Sequence, residues 1–586
     1  MAASGQKALG VTAPLSTAPP TPADLKADTD LVTELKRQNN FENTDETQKR
    51  SAVLQSLQRI ADEFVKQVSR AQNLPEVFIK NACGRLLTFG SFKLGVIGPG
   101  SDIDTLIIAP KHVTTKDFFE TFPDILYKYA PEGAITELVP KPDAHAPCMT
   151  LKYNGIDLDL LFGRIANLTQ IPPTFSRVED SMLQGLAEPE VRCLNGVRVA
   201  DEMLSLVPEQ AVFRTALRTI KLWSARRAIA GNMYGFPGGV AWAILVARVC
   251  QLYPKATGAT IVLKFFKIMG QWQWPMPVLL KNIEDLEKGI RVWNPKIYPQ
   301  DRRHMMPIIT PAYPSMCTTH NVTHSTMTVI QRELQRGGKI ADKILAGKEK
   351  WQELFTKHTF FTSGYKHYLT VLTASTTKEA QLSWSGFVES RVRILVGKLT
   401  EDTAITLAHP FNKGFNRAHR CRSEEEIDAV KSGSLAYYAK DIGTETTGHG
   451  LAVGASKDEG INGDEKSADE ENVTMVYTTT DYIGLELDLA TKKLDLAWIV
   501  DEFKGLCYGW DNYNADTSAL HIGNLKSYEL PDDLFGEGEI KPTRLRKKVT
   551  NGTTNGTAKK RPAPASDDTT QGPAKKQQQT SVAAAG

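Results

Sequence analysis

The stretch LLTFGSFKLGVIGPGSDIDTLIIA, residues 86–109, constrains the chain more than any other. Four glycines and a proline lead into Asp102 and Asp104, which stand at the mouth of the apolar run TLIIA. Burying one uncompensated carboxylate is costly, and burying two side by side is worse. In a strand, residues i and i+2 share a face, so both carboxylates converge on one spot. A metal ion is the compensation that this arrangement invites. Hard cations such as Mg²⁺ take oxygen ligands and share them with substrate phosphates. The preceding FGS and GPGS supply backbone that can approach a phosphate closely, and Ser91 offers a hydroxyl. Downstream, GIDLDLLF places Ile156, Leu158 and Leu160 on one strand face and Asp157 and Asp159 on the other. A third carboxylate from this strand completes a two-metal site, and spacing alone does not choose between the two aspartates.

At 586 residues the chain is too long for one core, which predicts two to four domains. No apolar run reaches membrane-spanning length, and the N-terminus lacks the basic and apolar regions of a secretory signal. The seven cysteines stand singly, without a CxxC pair, so neither a disulfide framework nor a zinc site is expected. Charge is uneven: residues 541–586 carry ten Lys/Arg and two Asp/Glu, net +8, within a chain of net +3, so the rest is net −5.

The patterns divide the chain into an irregular N-terminal segment (1–25) and a mixed α/β domain (26–200). A helical central domain (201–357) and an α+β domain (358–535) follow, and a basic, low-complexity, disordered tail (536–586) ends the chain. Helical spacing predicts helices over 28–38, 45–72 and around 115–130. Strands are expected at RLLTFG, DIDTLIIA, AITELV, MTLKY and IDLDLLF. The helical pattern resumes from about 196, and GGVAWAILVARVCQLY reads as a buried helix because it is apolar almost all round. Further helices are expected at IVLKFFKIMGQW and 324–345, with KEKWQELF closing this domain. In the last domain HYLTVLTAS, ITLAHPF, TMVYTTTDYIGLEL and LDLAWIVDEFKGLCY read as strands around a helix at WSGFVESRVRILVGKLTE. Residues 440–472 read as a mobile insert.

The run FGSFKLGVIGPGSDIDTL resembles the signature of nucleotidyltransferases of the DNA polymerase β superfamily, and in its details that of fungal-type eukaryotic nuclear poly(A) polymerases. PDAHAP, CLNGVRV, IKLWSARR, GFPGGVAWAILVARVCQLYP, WQWPMPV and WSGFVESRVR extend the resemblance over residues 8–535. It implies a polymerase β-like nucleotidyltransferase domain, a helical central domain and an RRM-like C-terminal domain. It also implies template-independent transfer of adenylate from ATP to RNA 3′ ends in mRNA processing, with two Mg²⁺ or Mn²⁺ ions. The family pattern selects Asp159 over Asp157, giving Asp102, Asp104 and Asp159 as catalytic metal ligands. Around ATP it implies Phe89, Gly90, Ser91, Gly100, Ser101, Asn195, Lys221, Ala230, Asn232, Gly239 and Val240, with Gly238 beside them. Nuclear localisation, a monomer, recruitment by cleavage and polyadenylation subunits, and no membrane association follow from the same resemblance.

Two positions depart from the family. His145 stands where relatives keep a phenylalanine, and Ala230 where they keep a tyrosine. An aromatic stack on a base contributes roughly 1–3 kcal/mol, so weaker ATP affinity or a shifted nucleotide choice, such as uridine, is the alternative to weigh. A non-catalytic RNA-binding scaffold is the other. Lys366, Arg391 and Arg393 are candidate phosphate contacts, and the clusters RLRKK, KKRP and KK in the tail read as nuclear localisation or RNA-binding signals.

Overall fold

The structure, a computed structural model, describes residues 9–286, 289–446, 473–491 and 494–544. Its elements belong to one compact unit, Met1–Pro542; of the second, Thr543–Gly586, only the first two residues are described. Most of the insert expected at 440–472 and nearly all of the basic tail lie outside the described residues.

The first region opens with α1 (Pro22–Arg37) and α2 (Thr44–Ala71). Thr21 and Asn43 begin these helices, each closing a capping box with the acidic residue three positions on. The Thr21 cap explains why α1 starts at Pro22, six residues before the periodicity predicts. There follow α3 (Glu76–Asn81), β1 (Arg85–Thr88), α4 (Gly90–Leu94), β2 (Ile103–Pro110), α5 (Thr115–Glu120), α6 (Phe122–Tyr129), β3 (Ile135–Lys141), β4 (Cys148–Tyr153) and β5 (Ile156–Ile165). The helix expected around 115–130 is thus two helices. They meet at Thr121, with Pro123 in the first turn of the second.

The five strands form one sheet in the order β1-β2-β5-β4-β3, in which only β2 and β5 run parallel. Strand alternation splits its side chains between two cores. Ile103, Ile107, Leu158, Leu160 and Phe162 meet Phe64 of α2 and Phe118 and Phe122 of α5 and α6. Leu106, Ile108, Leu161 and Ile165 face the other way, against Leu194 and Val197 of the helix that follows.

That helix, α7 (Glu188–Leu206), starts eight residues before the expected onset of helical pattern. Its first turn holds Pro189, and the Glu190 carboxylate accepts from the Ala187 amide. The second region continues with α8 (Gln210–Arg226), α9 (Gly239–Leu252), α10 (Gly258–Gly270), the short α11 (Pro299–Arg302) and α12 (His324–Leu345). α9 is buried from Ala241 to Leu252, as its all-round apolarity predicts. Residues 351–355, in the KEKWQELF stretch that closes this region, make a 3₁₀ turn.

The third region contains β6 (His367–Ser375), α13 (Lys378–Leu399), β7 (Ile405–Pro410), β8 (Phe415–Cys421), α14 (Glu424–Lys431), the two-residue β9 (Glu445–Thr446), β10 (Thr474–Leu487), α15 (Ala497–Tyr508) and β11 (Ser518–Lys526). Its antiparallel sheet runs β11-β6-β10-β8-β9, and β7 pairs with the far end of β10. One expectation fails here: LDLAWIVDEFKGLCY is helix, not strand. Ile499, Phe503 and Cys507 recur every four residues and are the buried positions, a helical stripe that the aromatic and β-branched content obscured. The second and third regions share a core, in which Trp223, Trp242 and Phe265 join Trp384, Val388 and Ile483.

Candidate active site

The parallel pairing of β2 and β5 sets Asp104 directly opposite Asp159. Asp102 precedes β2 and lies on the face of Asp104, Leu106 and Ile108, while Asp159 shares its face with Leu161. All three carboxylates therefore end the stripe that faces α7. Their oxygens lie within 4.8 Å of one another, the single such cluster of His, Cys, Asp or Glu among the described residues. Asp157 sits on the same strand face but two residues farther along, exposed and opposite Lys152 of β4. Geometry thus brings Asp159, not Asp157, to the other two.

The Gly-Ser element folds over this cluster. The Phe89 amide donates to the Asp104 carbonyl at 3.1 Å, and α4 begins at the next residue. Gly90 has φ of +56°, and a Cβ there would lie 1.7 Å from Oδ2 of Asp104. Only glycine combines that backbone conformation with that approach. The Phe89 ring packs on Gly196 of α7, where a Cβ would meet it at 2.8 Å. Ser91 is half-buried within α4. Gly100 also has positive φ, and the Ser101 hydroxyl accepts from the Gly98 amide at 3.1 Å, closing the turn that delivers Asp102 to the strand.

Lys221 approaches from α8. Two arginines on that helix explain its placement. Arg214 donates to the Leu94 carbonyl, and Arg218 donates to the carbonyls of Ile97 at 2.6 Å and Gly95 at 3.1 Å. These bonds pin α8 to the segment after α4, and Lys221 follows Arg218 by three positions, on the same helix face. Burial lowers the Lys221 pKa, while Asp102 and Asp104 act in the opposite sense. Sequence reasoning missed Arg214 and Arg218, because surface-type arginines on an amphipathic helix carry no mark of their carbonyl partners.

Asn195 is buried on α7. Its Oδ1 accepts from Arg198, and its Nδ2 lies 3.5 Å from the Pro314 carbonyl. Ala230 and Asn232 sit on the loop between α8 and α9. The Ala230 carbonyl accepts from Asn412 at 2.9 Å and the Asn232 carbonyl from Asn321 at 3.1 Å, while Oδ1 of Asn232 is buried without a protein partner. Gly238 caps α9, a Cβ added at Gly239 would meet nothing within 4 Å, and Val240 is exposed. His145 is exposed, its ring 6.4 Å from that of His320. Of the suggested phosphate contacts, Lys366 is exposed, Arg391 stacks on Phe387 at 4.7 Å, and Arg393 is half-buried.

No described helix is long and apolar enough to cross a membrane. The described cysteines are all free thiols.

Comparison with known proteins agrees with this geometry region by region. Residues 10–207 match the poly(A) polymerase nucleotidyltransferase domain, 212–357 the poly(A) polymerase central domain, and 359–544 the poly(A) polymerase predicted RNA binding domain. Poly(A) polymerase pla1 of Schizosaccharomyces pombe is 47% identical over 94% of this chain and 98% of its own length. Poly(A) polymerase PAPa of Candida albicans is 42% identical over 92% of this chain and 96% of its own. With all three domains matched and relatives aligned almost end to end, the chain belongs to the poly(A) polymerase family, in its fungal form.

Proposed function

We propose that this enzyme, a polynucleotide adenylyltransferase that builds poly(A) on RNA 3′ ends from ATP, carries out the transfer at the junction of β2, β5, α4 and α8. The observation that carries the assignment is the convergence of Asp102, Asp104 and Asp159 within 4.8 Å, with Lys221 beside two of them. Divalent metal ions belong to this chemistry, and an all-carboxylate donor set suits a hard cation. The proposal is that two Mg²⁺ or Mn²⁺ ions are held by these three aspartates. When bound, such ions lower the pKa of the RNA 3′-hydroxyl and neutralise charge on the triphosphate and departing pyrophosphate.

The chain's own groups supply the rest. Asp104 and Asp159 orient the ions through fixed strand register. Lys221 pairs with the triphosphate, and its partial burial strengthens that attraction by excluding water. Phe89, Gly90 and Ser91, with Gly100 and Ser101, line the approach of the phosphates. Gly90 lets backbone come close where any side chain would collide. The Asn232 amide, with its buried oxygen unengaged, is available to the nucleoside. Asn195, Ala230, Gly239 and Val240 border the same nucleotide, with the domain limits as read from the sequence. RNA binding by the third region supplies the acceptor.

A nuclear location, action as a monomer and recruitment by cleavage and polyadenylation subunits extend the reading, supported by the fungal relatives and the basic clusters in the sequence. Primer extension with each of the four nucleoside triphosphates, in Mg²⁺ and in Mn²⁺, tests it. Preferred growth with ATP in either metal is expected; preferred growth with UTP overturns the nucleotide assignment.

A further inference from the structure

The loop at residues 228–238, which carries Ala230 and Asn232, is held in part by residues outside the second region. Ala228, left-handed at φ 55° and buried, packs in an aromatic cluster with Phe360, Phe361 and Phe411. Asn412, just past β7, donates to the Ala230 carbonyl. Tyr234, four residues beyond Ala230 and two after Asn232, is itself buried. Its hydroxyl donates to Oδ1 of Asp481 at 2.7 Å. Asp481 stands in the middle of β10 and is 2% exposed, facing the buried Glu389 of α13. A Cβ on Gly414 would lie 2.7 Å from a Glu389 oxygen and 3.1 Å from Oδ1 of Asp481, so the two carboxyl groups share one small space.

A carboxyl pair enclosed this way is an expensive way to fill a core. Apolar residues would stabilise the sheet more simply. What the pair supplies instead is an oriented acceptor for one hydroxyl on the nucleotide loop. We infer that the RNA-binding region sets the position of the nucleotide loop, with Tyr234, Asp481 and Asn412 as positioning residues for ATP. The inference rests on the reading that Asn232 meets the nucleoside. Burial and the Glu389 charge raise the Asp481 pKa well above its ordinary value, so its neutral form is favoured and a carboxamide should replace it well.

Steady-state extension of an oligo(A) primer by the full chain, varying ATP, tests the inference. Tyr234→Phe and Asn412→Ala each raise KM for ATP about three- to tenfold, as loss of one hydrogen bond predicts, with kcat within about twofold. Asp481→Asn retains near-native KM because its carbonyl still accepts from Tyr234, whereas Asp481→Leu behaves like Tyr234→Phe. Unchanged KM in a folded Tyr234→Phe protein, with only its Tm lowered, overturns the inference. So does an Asp481→Asn KM as high as that of Asp481→Leu. Asn232→Ala separates the two levels. If it leaves KM unchanged, the nucleotide reading of the loop falls; if it raises KM while Tyr234→Phe does not, only the positioning inference falls. Should Asp481→Leu fail to fold, Tyr234→Phe and Asn412→Ala decide.

Discussion

On the proposed function the carboxylate cluster and the loop at residues 228–238 serve one reaction, yet they are held in different ways. Asp104 and Asp159 sit on adjacent parallel strands whose ladder fixes their register. Ala230 sits just before, and Asn232 and Tyr234 bound, a single 3₁₀ turn between α8 and α9. They are fixed by Asn412, Asn321 and Asp481, which lie 182, 89 and 247 residues away along the chain. A ladder places a side chain through many backbone bonds, none of which depends on side-chain identity. A loop tied by three side chains loses a third of those ties with one substitution. The carboxylate cluster is therefore insensitive to side-chain identity along its ladder but not to change within it or at the crowding Gly90, whereas the loop is tuned from a distance. That suits a site where chemistry must be invariant and nucleotide affinity adjustable.

The largest expected effect breaks the first half of this comparison. Asp104→Asn or Asp159→Asn lowers kcat by at least about a thousandfold, because each removes charge at the point where the triphosphate and the attacking hydroxyl meet. Tm does not fall in Asp159→Asn, since one of three like charges is removed from a site that the strand ladder holds in place, whereas Asp104→Asn also takes a counter-charge from the buried Lys221 and lowers Tm modestly. Extension rates and thermal melts of the same preparations check both outcomes. A loss under tenfold places the reaction elsewhere.

Next comes Gly90→Ala. Its methyl would lie 1.7 Å from the Asp104 carboxylate, on backbone at φ +56°. A displacement of about 1 Å at a reacting centre costs on the order of a hundredfold, so kcat falls by about that factor. Gly338→Ala, within α12, is the control. That glycine has nothing within 4 Å of its missing Cβ, and its substitution changes kcat and KM by less than about twofold. Equal effects at the two glycines would show that the crowding at Asp104 is not what matters.

The third effect concerns the loop. Ala230→Tyr installs the aromatic residue that the sequence resemblance implies for this position. One stack contributes roughly 1–3 kcal/mol, which lowers KM for ATP by about tenfold if the new ring reaches the base. Steady-state kinetics with ATP and UTP check the affinity and whether nucleotide preference sharpens. An unchanged KM would sink the idea that the alanine weakens ATP binding.

The same contrast explains what the sequence made legible. A DxD before an apolar run, with an acid on a later strand, is a local pattern, and period-2 alternation placed its side chains correctly. Choosing Asp159 over Asp157 needed either the family pattern or the register of β2 on β5. The loop's supports were not legible, because each is one polar residue in a segment with its own local explanation. Asp481 in TTTDYIGL reads as a strand polar position, and Asn412 as part of a turn after ITLAHPF. β8 escaped for a related reason. Arg417 and His419 occupy its buried face, Arg417 paired with Asp533 and His419 bonded to Thr478, so the strand lacks an apolar alternation to read. α15 was misread because its content is strand-like while its spacing is helical, and spacing decided the outcome.

The smallest effect tests how the loop's deepest support is ionised. In the unfolded chain Asp481 titrates near the ordinary aspartate value of about 3.9, while burial and Glu389 hold its folded pKa well above that. Below the unfolded value the carboxyl is protonated in both states and costs nothing. As pH rises past it, the unfolded chain releases the proton and the folded chain does not. Stability then declines by up to about 1.4 kcal/mol per pH unit until the folded group also ionises. Asp481→Asn has no proton to release, keeps an acceptor for Tyr234, and can donate its amide to Glu389. The variant's Tm should therefore match the native protein near pH 5 or exceed it slightly, with the excess growing toward pH 8. Melts across that range read the sign directly. A variant equally destabilised at both ends would mean that Asp481 is held as a carboxylate, and that the tyrosine hydroxyl bonds to charge rather than to a neutral acid. The loop would then be anchored by a charged rather than a neutral acceptor, and its support would weaken, not strengthen, when that charge is removed.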